Sequence, residues 1–227
     1  MELGKLTDWL DRTLRVGDFD DVSNNGLQVA RTADGVETVA VAVDASVRAV
    51  RAAAAAGAQL LVVHHGISWG GGIRRLTGGV YAVVKAAMDA DLAIYACHLP
   101  LDAHERLGNN WNLARYLGLR NLRKAFSYHG NVIGVTGVNR HGRRIGVCSG
   151  GAGEFAEEAK RLGCDLYVTG EANWGERVAA ENCGMPMVCA GHWQTEVFGV
   201  RAVAAEIRRR LRLRVVDLTQ GEEGGGK

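Results

Sequence analysis

Two adjacent histidines end an apolar run, LLVVHHGISW at Leu60–Trp69, and they decide what chemistry this chain can do. His98 opens a second cluster, HLPLD, which closes on Asp102, and His192 opens a third, HWQTE, which closes on Glu196. Together His64, His65, Asp102, His192 and Glu196 offer three imidazoles and two carboxylates. Imidazole suits zinc, iron, nickel or cobalt, and carboxylates add harder oxygen donors able to bridge, so the set suits a mixed nitrogen and oxygen centre holding two divalent ions. A divalent ion lowers the pKa of bound water toward neutrality, and a second can hold substrate oxygens or a leaving group. Hydrolysis at an electrophilic carbon or phosphorus is therefore the expected reaction type, with His98 and Glu171 as candidate catalytic groups that handle protons. His192 and Glu196 are four apart at the start of an expected helix and share one face. His64 and His65 are harder to reconcile, because neighbours on a regular strand point to opposite faces. They converge only if the strand ends between them at a turn that Gly66 permits. His104, His129 and His141 sit in polar, loop-like contexts and read as structural or solvated.

These residues need elements to place them, and the chain supplies an alternation of strands and helices. Glu2–Leu14 carries Leu3, Leu6, Leu10 and Leu14 at a helical period, with Thr7 and Asp8 expected to face out. Asp18–Asn25 is polar and turn-rich. Glu37–Asp44 predicts a strand, Ala45–Ala56 a helix stopped by Gly57, and Gln59–His64 the next strand. Helix Val80–Ala90 and strand Leu92–Cys97 follow, then a short helix over Asn109–Leu117 and a less regular stretch from Asn131. The later part predicts strand Arg144–Cys148, helix Glu154–Leu162, strand Asp165–Thr169, helix Glu176–Asn182, strand Pro186–Ala190, helix Thr195–Leu211 and strand Arg212–Leu218. Residues 220–227 are expected to be a flexible, solvated tail.

The halves align. Val43–Gly66 lies over Ser149–Ala172 without a gap, setting His64-His65 over Gly170-Glu171. Ala96-Cys97-His98 lies over Ala190-Gly191-His192, and Asp102 falls on Glu196. The expected architecture is α/β, with two similar βαβ-containing halves, residues 1–125 and 126–227, forming one compact unit with the metal site at their junction. Trp69, Trp174 and Trp193 follow the strand ends, where their rings either stack on a flat heterocycle or plug the rim of the core. Ser149–Gly153, before a helix, is the better of two glycine-rich candidates for an anion.

Composition excludes several classes. The chain of 227 residues is 47% hydrophobic, enough for a real core, and its 27 basic against 25 acidic residues leave a formal charge of +2. Such a balance gives no argument for nucleic acid or a membrane, so a small-molecule partner is expected. Five cysteines without CxxC spacing read as reduced thiols of a cytoplasmic protein, and no leader or spanning segment is expected.

VVHHGISW, YACHLPLDAH with the following LGNNWNLARYLG, the TGE at Thr169–Glu171, AGHWQTEVFGV at Ala190–Val200 and the early SNNGLQV at Ser23–Val29 resemble the GTP cyclohydrolase 1 type 2 family, also called NIF-three-like, in its short YbgI-type form. The resemblance covers nearly the whole chain. It implies a NIF-three-like fold of two similar halves, a dinuclear centre of two divalent ions per chain (zinc, iron, nickel, cobalt or manganese), and a toroidal homohexamer with its sites facing an internal cavity. The metal ligands it implies fall on His64, His65, Asp102, His192 and Glu196. The family name implies hydrolytic opening of a purine nucleotide. A phosphoesterase using the same ions, or a metal-binding ring that recruits protein or nucleic acid, are the alternatives. The chain departs from the pattern at Trp174-Gly175, where many relatives carry histidine after the TGE.

Overall fold

The computed structural model describes residues 1–221. Two compact units emerge, one made of Met1–His98 with the described chain over 200–221, the other of Leu99–Gly199.

The first unit opens with α1 (Leu3–Leu14), whose four leucines are buried as their spacing requires. Thr7 departs from the outward position expected for it. It is buried, and its hydroxyl donates to the Gly4 carbonyl one turn back, which lets a polar side chain sit on the packed face. Then follow β1 (Gly26–Val29), β2 (Thr38–Asp44), α2 (Val47–Ala55), β3 (Leu60–His65), α3 (Gly78–Asp89) and β4 (Ala93–Ala96). Their sheet has the order β1-β4-β3-β2, with a further strand from the C-terminal segment, β10 (Arg214–Asp217), on the far side of β2. All pairs are parallel except β1 with β4. β2 and β3 read as unbroken apolar runs because the interior of a parallel sheet is buried on both faces, and Val39–Val43 and Leu60–Val63 are at most 1% exposed. Ser46 caps α2, its side chain accepting from the Ala49 N–H at 3.0 Å.

The second unit begins with α4 (Leu99–Ala103) and α5 (Asn109–Tyr116), then runs β5 (Arg120–Tyr128), β6 (Asn131–Val138), β7 (Arg144–Gly151), α6 (Ala156–Arg161), β8 (Leu166–Glu171), α7 (Trp174–Asn182), β9 (Met187–Cys189) and the start of α8 (His192–Leu211). The sheet order is β5-β6-β7-β8-β9, antiparallel through β7 and parallel beyond it. β5 has no counterpart among the expected strands. It is a mostly exposed edge strand rich in basic side chains, which hides the period-two signal. It is joined to β6 through His129-Gly130, both at positive φ, so His129 belongs to a tight hairpin turn.

The internal repeat is real at the level of topology. β2-α2-β3-α3-β4 and β7-α6-β8-α7-β9 each lay three parallel strands side by side in chain order. Of the tail expected over residues 220–227, Gly221 and the exposed Gln220 complete a 3-10 turn over Leu218–Gly221 that follows the buried Thr219. Residues 222–227 lie outside the described residues. Among the described residues, no helix is long and apolar enough to cross a membrane.

Candidate metal centre

In the first unit the site grows from the carboxyl ends of β2, β3 and β4. β3 does not stop between the two histidines. It runs through His65, which lies opposite Asp44 at the end of β2. The two rings nevertheless approach, with centroids 4.6 Å apart. Gly66 is needed for a reason other than a left-handed turn. A Cβ there would lie on the Gln28 side-chain amide and 2.6 Å from the Ala96 Cβ, so only glycine lets the chain leave the strand through that gap. Gln28 fills the other side of the gap, its carbonyl oxygen accepting from the Ile67 N–H at 2.7 Å.

Every imidazole here is held at Nδ1. His64, fully buried, has Nδ1 3.0 Å from the Cys97 carbonyl. His65 has Nδ1 2.8 Å from Asp44 Oδ1, and His98 has Nδ1 2.9 Å from Asp21 Oδ1. An acceptor at Nδ1 fixes the proton on that nitrogen and leaves coordination or proton acceptance to Nε2, the arrangement typical of metal-bound histidine. His64, His65 and His98 bring one ligand atom each to within 4.8 Å of one another. Trp69 stands edge-on to His98, centroids 5.1 Å apart, with its indole N–H donating to the Gly66 carbonyl.

The second unit presents the carboxylates. Asp102, on α4, is buried, and its Oδ1 accepts from Asn109 Nδ2 at 2.9 Å and from the Ser149 hydroxyl at 3.1 Å. Glu196 is also buried, and the two side chains bring carboxylate oxygens to within 4.8 Å of each other. Helix α8 starts at His192, one turn earlier than expected, and that turn places His192 Nε2 3.2 Å from Glu196 Oε1. His192 follows the same rule as the other imidazoles, with Nδ1 2.7 Å from Glu171 Oε1. Hydrogen bonding to Glu196 is the main cause that raises the His192 pKa to about 9, with Glu171 adding to it and burial working against it. Thr195 fastens the turn by accepting from the Gly150 N–H at 3.0 Å. Gly170 lets β8 pass close by, since a Cβ there would lie 2.6 Å from the Gly150 carbonyl and 2.9 Å from the His192 Cα.

All seven sequence-derived candidates thus lie where strands end or helices begin. Two groups escaped the sequence reading. Asp44 and Asp21 anchor His65 and His98, and the only signal for Asp21 was the polarity of its loop. Asn109 and Ser149, which hold Asp102, carried none. The anion site expected at Ser149–Gly153 is not formed. The N–H groups of Ser149, Gly150 and Ala152 are taken by Asn110, Thr195 and Thr169. His104 is structural, its ring accepting from the Arg106 and Leu107 N–H groups. Trp174 is 80% exposed, so it does not plug a core. The cysteines form no disulfide.

The donors of each unit, taken by themselves, are of the kinds that suit a divalent cation. Imidazoles held at Nδ1 by carboxylate or carbonyl, together with buried carboxylates of fixed orientation, are the inner and outer surroundings that such an ion requires.

The profile of the Duf34/NIF3 (NGG1p interacting factor 3) family matches residues 1–139 and 124–221. A Deinococcus radiodurans protein named GTP cyclohydrolase 1 type 2 homolog is 40% identical, covering 91% of this chain and 89% of that protein. An Archaeoglobus fulgidus protein of the same name is 35% identical, covering 96% and 98%. Among solved structures, a Thermus thermophilus protein superposes with a TM-score of 0.83 at 31% identity, and the ybgI protein, described as of unknown function, with a TM-score of 0.83 at 26%. Each covers 96% of this chain and 98% of the other. The chain belongs to the Duf34/NIF3 family.

Proposed function

We propose that this protein is a metal-dependent hydrolase in which His64, His65, Asp102, His192 and Glu196 hold two divalent ions, and that its substrate is a purine nucleotide. The observation that carries the reading is the uniform anchoring of His64, His65, His98 and His192 at Nδ1, beside the buried Asp102 and Glu196 carboxylates. Donation from Nδ1 to a carboxylate or carbonyl is the arrangement by which a ligating histidine presents Nε2 to an ion. The ions supply Lewis acidity and bring the pKa of water toward neutrality.

The chain's own residues do the rest. Asp44 and Glu171 orient His65 and His192, and Asn109 and Ser149 orient Asp102. His98, held at Nδ1, accepts a proton at Nε2 from the attacking water and returns it to the leaving group. Trp69 limits rotation of the His98 ring. The purine substrate is suggested by the name shared by the relatives, and the family resemblance further implies a homohexameric ring acting in the cytoplasm.

The test is turnover of GTP by metal-loaded protein beside a His98→Gln variant. Formate release by the wild type, lost in the variant with metal content retained, supports the reading. Release of inorganic phosphate instead would make the protein a phosphoesterase. No turnover of any purine nucleotide would refute the substrate assignment.

A further inference from the structure

The segment between α1 and β1 looks like a connecting loop, yet its side chains converge on the residues that follow β3 and β4. Asn24 donates from Nδ2 to the Ser68 hydroxyl at 2.8 Å, and its N–H donates to the Ser68 carbonyl at 3.1 Å. Gln28, just beyond that segment in β1, grips Ile67 and Ser68 through their N–H groups. Asn25 accepts from the His98 N–H at 2.8 Å and donates from Nδ2 to Asp21 Oδ2 at 2.9 Å. Asp21 then reaches His98 Nδ1 with its other oxygen, which also accepts from the Ser23 N–H at 3.1 Å.

Two features make this more than a turn. The Asp21 side chain is only 2% exposed, so a carboxylate has been withdrawn from water to meet one imidazole. The Asn25 amide is also fixed without ambiguity, since one end faces an N–H and the other a carboxylate, so backbone and ring of His98 are gripped by a single pair of residues.

We propose that Asp21, steadied by Asn25, is the positioning residue that holds His98 with its proton on Nδ1 and so presents Nε2 as a proton acceptor. Three donors, the Ser23 N–H, Asn25 Nδ2 and His98 Nδ1, surround the Asp21 carboxylate, which leaves the His98 ring no choice of tautomer. The inference rests on the hydrolase reading only for the use made of Nε2. The clamp itself belongs to this chain's geometry.

The experiment is nitrogen NMR of protein carrying ¹⁵N-labelled histidine, recorded on the metal-free chain, with the His98 signals assigned by their loss in His98→Gln. The wild type should show a pyrrole-like Nδ1 and a pyridine-like Nε2 for His98. Asp21→Asn, nearly isosteric, should shift both toward intermediate values while elemental analysis finds the same metal content after loading. A wild-type His98 protonated at Nε2 would overturn the proposal, and so would loss of metal in Asp21→Asn, which would make the clamp part of the ligand set. If GTP is not turned over by the wild type, the hydrolase reading fails while the tautomer result decides the clamp by itself. If GTP is turned over, Asp21→Asn should lower the rate by about 10- to 100-fold, as expected for a partner that orients histidine.

Discussion

Asn109 is fully buried and joins three elements with one amide. Its Nδ2 donates to Asp102 Oδ1 at 2.9 Å, and its Oδ1 accepts from the Gly199 N–H in α8 at 2.6 Å. Replacing it by alanine removes a hydrogen bond to a charged group, worth about 1.5 to 3 kcal/mol, and the side-chain acceptor of the Gly199 N–H, a neutral hydrogen bond worth about 0.5 to 1.5 kcal/mol. The expected loss for Asn109→Ala is the combination, about 2 to 4.5 kcal/mol, a large share of the stability of a small unit. Ser149→Ala is the internal comparison. It removes one hydroxyl from the same carboxylate oxygen and strands nothing from the backbone, so it should cost no more than about 1.5 to 3 kcal/mol. Urea unfolding of the metal-free proteins measures both. Zinc titration should also show affinity falling by about 10- to 100-fold in Asn109→Ala, because Asp102 loses its orientation. A loss below about 1 kcal/mol with unchanged zinc affinity would refute the claim that Asn109 positions Asp102.

Three further outcomes follow from the same geometry. Gly170→Ala should displace the first turn of α8, because its methyl would meet the Gly150 carbonyl and the Thr195 hydroxyl at 2.6 and 2.7 Å. Calorimetry should show it destabilised by about 1 to 3 kcal/mol or more, with weakened metal binding. In the metal-free protein the raised pKa of His192 means that its ion pairs contribute fully below the ordinary histidine value and fade as pH rises through about 9. A metal must displace that proton, so zinc affinity measured by competition should climb about tenfold per pH unit up to about 9; a flat profile would exclude His192 as a ligand. Cys97→Ser should leave metal content unchanged, since Cys97 serves His64 through its backbone carbonyl, and a clear loss on elemental analysis would make sulfur a ligand.

The sequence was readable where residue type and period spoke together. Apolar runs such as Leu60–Val63 declared the buried parallel strands, and the four leucines of α1 declared its packed face. The five ligand candidates were visible because histidine and acid recur at strand ends in both halves of the repeat. What stayed hidden depends on contacts distant in the chain. Asp21 meets His98 across 77 residues of sequence, and nothing local in DFDDVSNN marks which aspartate turns inward. Asn109 reads as an ordinary helix-starting residue until its two partners are known. The role of Gly66 was misread as conformational freedom because a close approach by Gln28 and Ala96 leaves no mark at residue 66 itself. β5 was missed because its charged side chains reflect an exposed edge rather than the pleat.

The central claim is that five side chains hold two divalent ions, and plasma mass spectrometry of purified protein tests it most directly. Wild type reconstituted with zinc or manganese should carry two ions per chain, and Glu196→Ala, which removes a buried carboxylate facing both Asp102 and His192, should lose at least one. Two ions per chain in Glu196→Ala, or none above background in the reconstituted wild type, would contradict the account.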